Sequence, residues 1–582
     1  VGLRRLLVPS YADWLFAALI VWLFVAGSGW EVLLADGDTG WHIRAGEYVL
    51  AHLQVPRTDL FSFSRPDAPW CAWEWLSDVL FALAHRAAGL KGVSLLAGAT
   101  VAACFTVLFR HALARGANFL AALGVCLVAA GASGIHFLAR PHVFTLLLLA
   151  LSMWLLGRDR RAPGGAVWLL VPLAALWANL HAGFVALLAS IAVIATAAAL
   201  ERHWDLARRY AALAAACMAA TLVNPYGIGL HRHILEYLRS DWIRQAVDEF
   251  QSPRFRSESA THFELLLFAG LLAAASLLRR SRTGEALLLI GWAHAALVSV
   301  RNVPVFAIVA CPILAAEASR WLNASGCPTP SVAAAVGRIG ADFAPAARYT
   351  SIWPGVFLLV LASVPGHWPR DFPENKFPVR LIERQRSVIE GARVFTSDQW
   401  GDYLLYRFWP SQRAFVDGRS DFYGPGIGKL YLRTACGQGD WRAVLERYRI
   451  GFVLAPKEWP LANLLGEAGG WRLVDRDGQA VLFERGGEAP CRSLARSGTA
   501  ANPLKKPPRH AEIVQRNRAR HEDREETGWK RGQTGGEGET RASSRMAVAL
   551  RAVPRRIRAR IGPVGAPPRR AAPEGRGPPR PA

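Results

Sequence analysis

Eleven mostly apolar segments recur along the first two-thirds of this chain, several of them near the ~20 residues that a helix needs to cross a hydrocarbon core. They are Asp13–Leu34, Val93–Leu113, Asn118–Phe137, His142–Leu156, Ala166–Leu180, Gly183–Leu200, Tyr210–Val223, Phe263–Leu278, Ala286–Val300, Val303–Ala318 and Ser351–Val364. Only 19% of the 582 residues are charged and 52% are hydrophobic, whereas a soluble chain carries about 25% charge. A soluble globule is therefore excluded. The fold class is an α-helical polytopic membrane protein with about eleven transmembrane helices.

The connections fix an expected orientation. Arg110/Arg115, Arg158/Arg160/Arg161, Arg202/Arg208/Arg209, Arg279/Arg280/Arg282 and Arg320/Arg338/Arg348 fall on alternate hops of the chain. Lys and Arg accumulate on the cytoplasmic side of short loops, which places the N-terminus inside. Arg4 and Arg5 precede the first apolar run without a clean small-residue cleavage site, so that run reads as a retained signal anchor. The expected location is the cytoplasmic membrane, multi-pass. The Asp36–Arg86 and Asn224–His262 connections, and everything after Pro365, then lie outside.

Composition changes after the last apolar run. Arg393–Ser397, Arg413–Val416 and Ile450–Leu454 have strand character, Gly401–Phe408 and Asp440–Tyr448 have helical spacing, and Trp471–Val474 with Ala480–Glu484 flank a turn at Asp477-Gly478. The expected organisation is a bundle over 1–366 with a first external loop at 35–90, and a small extracytoplasmic α/β domain over 367–487. A tail follows at 488–582. It holds 22 Lys and Arg against 9 Asp and Glu, is rich in Arg, Pro and Gly, and lacks apolar periodicity, so it is expected to be disordered. The overall charge of +23 therefore overstates the ordered part, and no nucleic-acid partner is expected. The eight cysteines are scattered without a C-x-x-C pair, which argues against a thiolate metal site.

Chemistry concentrates where the first apolar run ends, at Asp36-Gly-Asp38-Thr-Gly-Trp41-His42-Ile-Arg44. Carboxylates beside hydrocarbon are costly and usually functional. Asp38 also precedes a helical run, Thr39–Leu53, and could simply cap it. The other outer ends carry Glu74 within Trp73-Glu74-Trp75, Arg140-Pro-His142, Asn179-Leu-His181, Asn224 and Arg301-Asn302. Arg and His opposite carboxylates at one membrane face suit a phosphate-bearing lipid, and the acids suit a divalent ion or a general base on an acceptor hydroxyl. Gly424-Pro-Gly-Ile-Gly428-Lys429 lacks the Ser/Thr and the spacing of a phosphate loop and reads as a turn.

The run Asp38-Thr-Gly-Trp41-His42-Ile-Arg44 resembles the first external loop of GT-C glycosyltransferases, the class of oligosaccharyltransferases, protein mannosyltransferases and lipid A aminoarabinose transferases. The wider pattern of Asp38, Pro56-Arg-Thr-Asp59, Trp73-Glu74-Trp75, Arg140-Pro-His142, Trp177-Ala-Asn-Leu-His181, Asn224-Pro-Tyr-Gly227, Glu249-Phe-Gln-Ser-Pro253 and Arg301-Asn-Val-Pro304 is similar to a bacterial branch of GT-C-like membrane proteins. The resemblance implies transfer of a sugar from a polyprenyl-phosphate donor to a glycan, lipid or protein acceptor at the outer face. It gives Asp38 the catalytic acidic role, with Asp36 the nearer alternative; from the outer-end residues themselves, Glu74 is a further catalytic candidate, and Arg44, Arg140, His142, His181 and Arg301 are the candidates to bind the donor phosphate. Thr39 follows Asp38 where mannosyltransferase-like members have an Asp-Glu pair, so a divalent metal on Asp38 and Asp36 is left open. Two other readings share the layout: a flippase for a lipid-linked glycan, and a non-catalytic envelope scaffold.

Overall fold

The computed structural model describes residues 6–25, 29–324, 332–343, 351–365 and 368–486. The Arg4/Arg5 start and the tail expected from 488 lie outside them. Each of the eleven apolar segments contains a helix, although the first, Asp13–Leu34, is α-helical only as far as Phe24. Five helices, Trp75–Ala114, Phe119–His136, His142–Asp159, Ala260–Leu278 and Val300–Leu322, are long and apolar enough to cross a membrane, and shorter apolar ones accompany them. This is a multi-pass helical membrane protein.

Local chemistry sets the helix starts. Ser10 and Asp13 form a reciprocal capping box at Tyr11–Phe24, and Asn118 Oδ1 accepts from Leu120 N–H at 2.9 Å. The helix Trp75–Ala114 begins 18 residues before the apolar run at Val93 because Trp75–His85 is itself helical. It bends at Ala88-Gly89, where Gly89 takes φ +60°.

The C-terminal part carries a four-stranded sheet in the order β1-β2-β4-β3: β1 Val394–Phe395, β2 Phe452–Pro456, β3 Trp471–Arg476 and β4 Ala480–Arg485. β1 runs parallel to β2, with Val394 opposite Phe452, and β4 is antiparallel to both neighbours. The expected hairpin is β3–β4. The strand expected at Arg413–Val416 is not in this sheet. Ala414 exchanges hydrogen bonds with Phe61 and Phe63 of the first loop instead, at 2.8 and 3.0 Å. Gly424 (φ +59°) is likewise not in a loop but bends the helix Ser420–Ala435.

That exchange reflects a shared core. Trp41, Phe61, Trp70 and Ala72 of the first loop pack with Phe395, Phe415, Leu445, Val453 and Leu461. Neither part could bury these faces alone, and the described residues form one compact unit. Arg419 ties the same seam: its Nη2 donates to Asp59 Oδ1 (2.8 Å) and Asp417 Oδ2 (2.6 Å), and its guanidinium lies 4.6 Å from the Trp70 ring.

The two glycines of Asp36-Gly-Asp-Thr-Gly40 explain how closely the parts approach. Spaced three apart, they share a helix face, and that face lies on the helix Asp398–Phe408. Gly37 N–H donates to Gln399 Oε1 at 2.7 Å. A Cβ on Gly40 would sit 2.8 Å from the Asp402 carbonyl oxygen. Gly40→Ala should therefore prise the α/β part from the loop, at about 1–3 kcal/mol. Limited proteolysis should cleave the 368–486 region faster in the variant. Equal rates would mean the seam can shift to admit a methyl group.

Candidate functional site

Arg140 lies in the turn between Gly134–His136 and the helix His142–Asp159. That turn is pinned to the first loop, because Ala139 N–H donates to Leu33 O (2.7 Å) and Thr39 Oγ1 donates to Ala139 O (2.9 Å). The guanidinium then meets three carboxylates. Nη1 lies 3.0 Å from Asp36 Oδ2 and 2.8 Å from Glu249 Oε1, and Nη2 lies 2.9 Å from Asp38 Oδ2. Glu249 is supplied by a short turn fastened beside Arg301, with Ser299 Oγ donating to Glu249 O at 2.9 Å.

Asp38 does not cap its helix. The helix Asp38–His52 has no side-chain cap bond, and the Asp38 N–H is taken by Asp36 Oδ1 at 2.9 Å. Asp38 is 5% exposed, and its Oδ1 has no hydrogen-bond partner among the described residues. Facing it is a carboxyl group that sequence reasoning missed, the fully buried Asp402. Asp402 Oδ1 accepts from Gly418 N–H at 3.0 Å, and its Oδ2 is also unpartnered. A Cβ on Gly418 would fall on Asp38 Oδ1 and 3.1 Å from Asp402 Oδ2, so the two orphan oxygens lie close together over that glycine. Burial, above all, pushes Asp38 up to about 7, with Arg140 opposing and Asp36 and Glu249 adding. Asp402 is driven up by burial and then by Asp38. Two such acids suit a shared proton. No sequence signal marks Asp402, which lies 364 residues downstream in an ordinary amphipathic helix.

A cavity of about 430 Å³ opens beside this pair, walled by Asp38, Glu74, Arg140, His181, Arg301 and Arg419 among others. Glu74 faces two histidines: Oε1 lies 3.5 Å from His181 Nε2, and Oε2 lies 4.0 Å from His42 Nε2. Burial raises Glu74 to about 8, Arg140 opposing and Asp421 adding, so it is protonated at neutral pH. Burial, then Arg301 and Arg140, lower His181 to about 3. Its Nδ1 receives Gly183 N–H at 2.9 Å and faces the Thr145 hydroxyl at 2.8 Å, which keeps the ring proton on Nε2. His42 Nδ1 is held by Asp78 Oδ1 at 2.6 Å.

Not every expected phosphate ligand reaches the cavity in a usable state. Arg44 is not in its wall. Its guanidinium donates to the Tyr406 carbonyl and to Glu47 (2.6 Å), fixing the loop helix to the α/β part. Arg140 is shared among three acids. His142 lines the cavity, but its Nε2 is used by the His136 carbonyl at 2.6 Å. Arg301 differs. It stacks 4.5 Å from the Phe250 ring and has no carboxylate partner among the described residues. Arg419 adds an Nη1 without a partner among them. A divalent ion on Asp36 and Asp38 fits poorly, because one oxygen of each is already held by a guanidinium. Among the described residues no three His, Cys, Asp or Glu side chains are placed to hold a metal.

No family model matches the chain, and no curated protein matches it. Solved structures do. An oligosaccharyltransferase of Archaeoglobus fulgidus in the apo form is 12% identical over 77% of this chain and 69% of its own, with a TM-score of 0.48. ArnT from Cupriavidus metallidurans bound to undecaprenyl phosphate is 13% identical over 81% of this chain and 97% of its own, TM-score 0.47, and its apo state gives the same values. The overall layout is similar to theirs.

The raised pKa of Asp38 sets a pH dependence of stability. A carboxyl lifted from about 4 in the unfolded chain favours folding below that value, and the contribution is lost as pH rises through about 7. Asp38→Asn cannot ionise, and Arg140 retains Asp36 and Glu249. The variant's thermal midpoint in detergent should therefore gain on wild type between about pH 4 and about pH 7 and hold a constant lead above that. A pH-independent difference would mean that Asp38 keeps its charge throughout.

Proposed function

We propose that this chain is a membrane glycosyltransferase that moves a sugar from a polyprenyl-phosphate donor to an acceptor hydroxyl at the outer face of the cytoplasmic membrane. The observation that carries the reading is the meeting, in the wall of one cavity, of a buried carboxyl whose Oδ1 has no hydrogen-bond partner among the described residues (Asp38) and a cation with no carboxylate partner among them (Arg301). In the reaction, the acceptor hydroxyl gives its proton to Asp38 while its oxygen bonds to the anomeric carbon. The carbon–oxygen bond to the donor phosphate breaks, and the electron pair leaves with the phosphate oxygen. Arg301, helped by the spare donor of Arg419, stabilises that developing charge. Asp402 positions Asp38 by sharing its proton. Glu74, neutral at working pH, orients a hydroxyl as a hydrogen-bond donor.

Inward from the cavity the wall below Arg301 turns apolar. Val303–Ala310, running inward from Arg301, contains no polar side chain, so a phosphate head group has no stepping stones across the bilayer. This favours an enzyme over a flippase. A donor that stays at one face also explains why the α/β part closes over the helix ends.

Transfer from a polyprenyl-phosphate sugar in purified protein tests the reading. Asp38→Asn should lower kcat by at least about 10², and the wild-type rate should climb with pH up to about 7 as Asp38 ionises. Arg301→Ala should mainly weaken donor binding, by about 1.5–3 kcal/mol for one charge-assisted hydrogen bond. Arg301→Lys should restore part of that loss, since it keeps the charge and lacks the bidentate fork. Undiminished transfer by both Asp38→Asn and Asp36→Asn would remove the mechanism.

Glu74→Gln copies the protonated acid. It should follow wild type below about pH 8 and depart from it above, where wild-type Glu74 ionises. A Glu74→Gln enzyme dead at about pH 6.5, near the ordinary histidine range, would instead make Glu74 a proton donor or base.

A further inference from the structure

A second cavity, of about 250 Å³, lies at the opposite ends of the helices that build the first. Its wall is formed by Arg115, Gly116, Arg161, Arg282, Ala316, Ser319 and Arg320. Arg115 ends the helix that Glu74 begins, and Arg161 follows the helix that His142 begins. Arg282 precedes the helix that ends at Ser299, and Arg320 lies near the end of the helix that starts beside Arg301. At 1.5 Å per residue, Pro304 and Arg320 are about 24 Å apart. That is close to the hydrocarbon thickness of a bilayer, ~30 Å.

The chemistry of this wall is one-sided. Glu285, 2% exposed, takes Arg115 Nη2 at 2.7 Å, Arg282 Nη2 at 2.8 Å and Arg160 Nη1 at 3.6 Å. Glu317, also 2% exposed, takes Arg280, with Arg320 Nη1 at 3.3 Å. Five arginines thus share two carboxylates, and Arg161, a sixth in the same cluster, has no ion pair among the described residues. Asp159 is committed elsewhere, to Arg209 and Tyr210. Hydrogen-bonding capacity is left over as well. Arg115 Nε is buried without a hydrogen-bond partner among the described residues, and Arg320 Nη1 has the ion pair with Glu317 but no aligned acceptor. Solvated basic loops do not look like this. Arg208, on the same side, stands 80% exposed with only a 3.5 Å pair to Asp205.

From the cavity, its four lining guanidinium groups and the unused donors, we infer a binding site for a phosphate-bearing anion at the face opposite the transfer site. Planar guanidinium groups match phosphate oxygens bidentately, and basic pockets between membrane helices take anionic head groups. The anion supplies the negative charge that two carboxylates leave short. Its source is either an anionic lipid head group or free phosphate.

The full chain supplies the test. Native mass spectrometry after release from vesicles of phosphatidylcholine and phosphatidylglycerol counts retained lipid, and calorimetric titration with inorganic phosphate reads the soluble anion. Arg161→Gln/Arg320→Gln should weaken binding at least about tenfold. Arg208→Gln/Arg279→Gln, removing the same charge from the same side but outside the cavity, should not. Loss of phosphatidylglycerol retention identifies the lipid, and loss of the phosphate titration identifies the free ion. Should the first double variant misfold, Arg161→Gln alone removes an exposed guanidinium with no ion pair among the described residues. Wild type and both sets of variants behaving alike with both probes would overturn the site.

Discussion

Arg140 is the constraint on which the rest of the site depends. Its guanidinium draws Asp36 and Asp38 from the first loop and Glu249 from the connection beside Arg301 onto one charge. Bringing three carboxylates together without that cation would cost several kcal/mol per ion in a low-dielectric setting. With it, Glu249 is held below the usual carboxylate range against the burial that would raise it. Asp38 is left in a different state from its neighbour: oriented by one oxygen on Arg140, with the other buried and without a partner among the described residues. One cation on three acids cannot satisfy all of them, and the imbalance is what leaves a base with something to do.

The second requirement is closeness, and it comes from the glycines and from the shared core. Gly40 and Gly418 let backbone and carboxyl groups meet where any side chain would intervene. Trp41, Phe61 and Trp70 then bury against the α/β part together with Phe415 and Leu461. The site therefore belongs to neither part alone. Its floor comes from helix ends, one wall from the first loop, and its lid from the turn carrying Gly418 and Arg419.

These facts decide what is legible in the sequence. Helices are readable because apolar runs bounded by arginine leave few alternatives, and each of the eleven segments contains one. Asp38, Glu74, Arg140 and Arg301 are readable because charge at an apolar boundary is costly enough to stand out, and all four line one cavity. Arg413–Val416 looks like a sheet strand because alternation says that a segment pairs but not with what. Its partner is Phe61–Phe63, some 350 residues away. Arg44 looks like a ligand by its place in the motif, but its direction on the helix sends its guanidinium to Tyr406. Asp402 gives no signal at all. A lone Asp in an amphipathic helix is ordinarily solvated, and only the tertiary approach buries it.

An acid-rich cavity looks a poor host for a phosphate, and the resolution lies in how its carboxyls are disposed. Glu249 and one oxygen of Asp38 are neutralised by Arg140, and Glu74 carries its proton at neutral pH because burial lifts it to about 8. Asp421 is hydrogen-bonded to His233 at 2.9 Å, and Asp78 is hydrogen-bonded to His42. What an entering anion meets is then Arg301, while Arg419 in the same wall keeps a buried Nη1 without a partner among the described residues. The remaining acid, Asp38 paired with Asp402, repels a phosphate only once it has lost its proton. In the proposed reaction that proton returns as the acceptor is activated, so repulsion is weakest when the leaving phosphate gains its charge. The same pair that makes Asp38 a base near pH 7 thus keeps it from opposing the charge it helps to create.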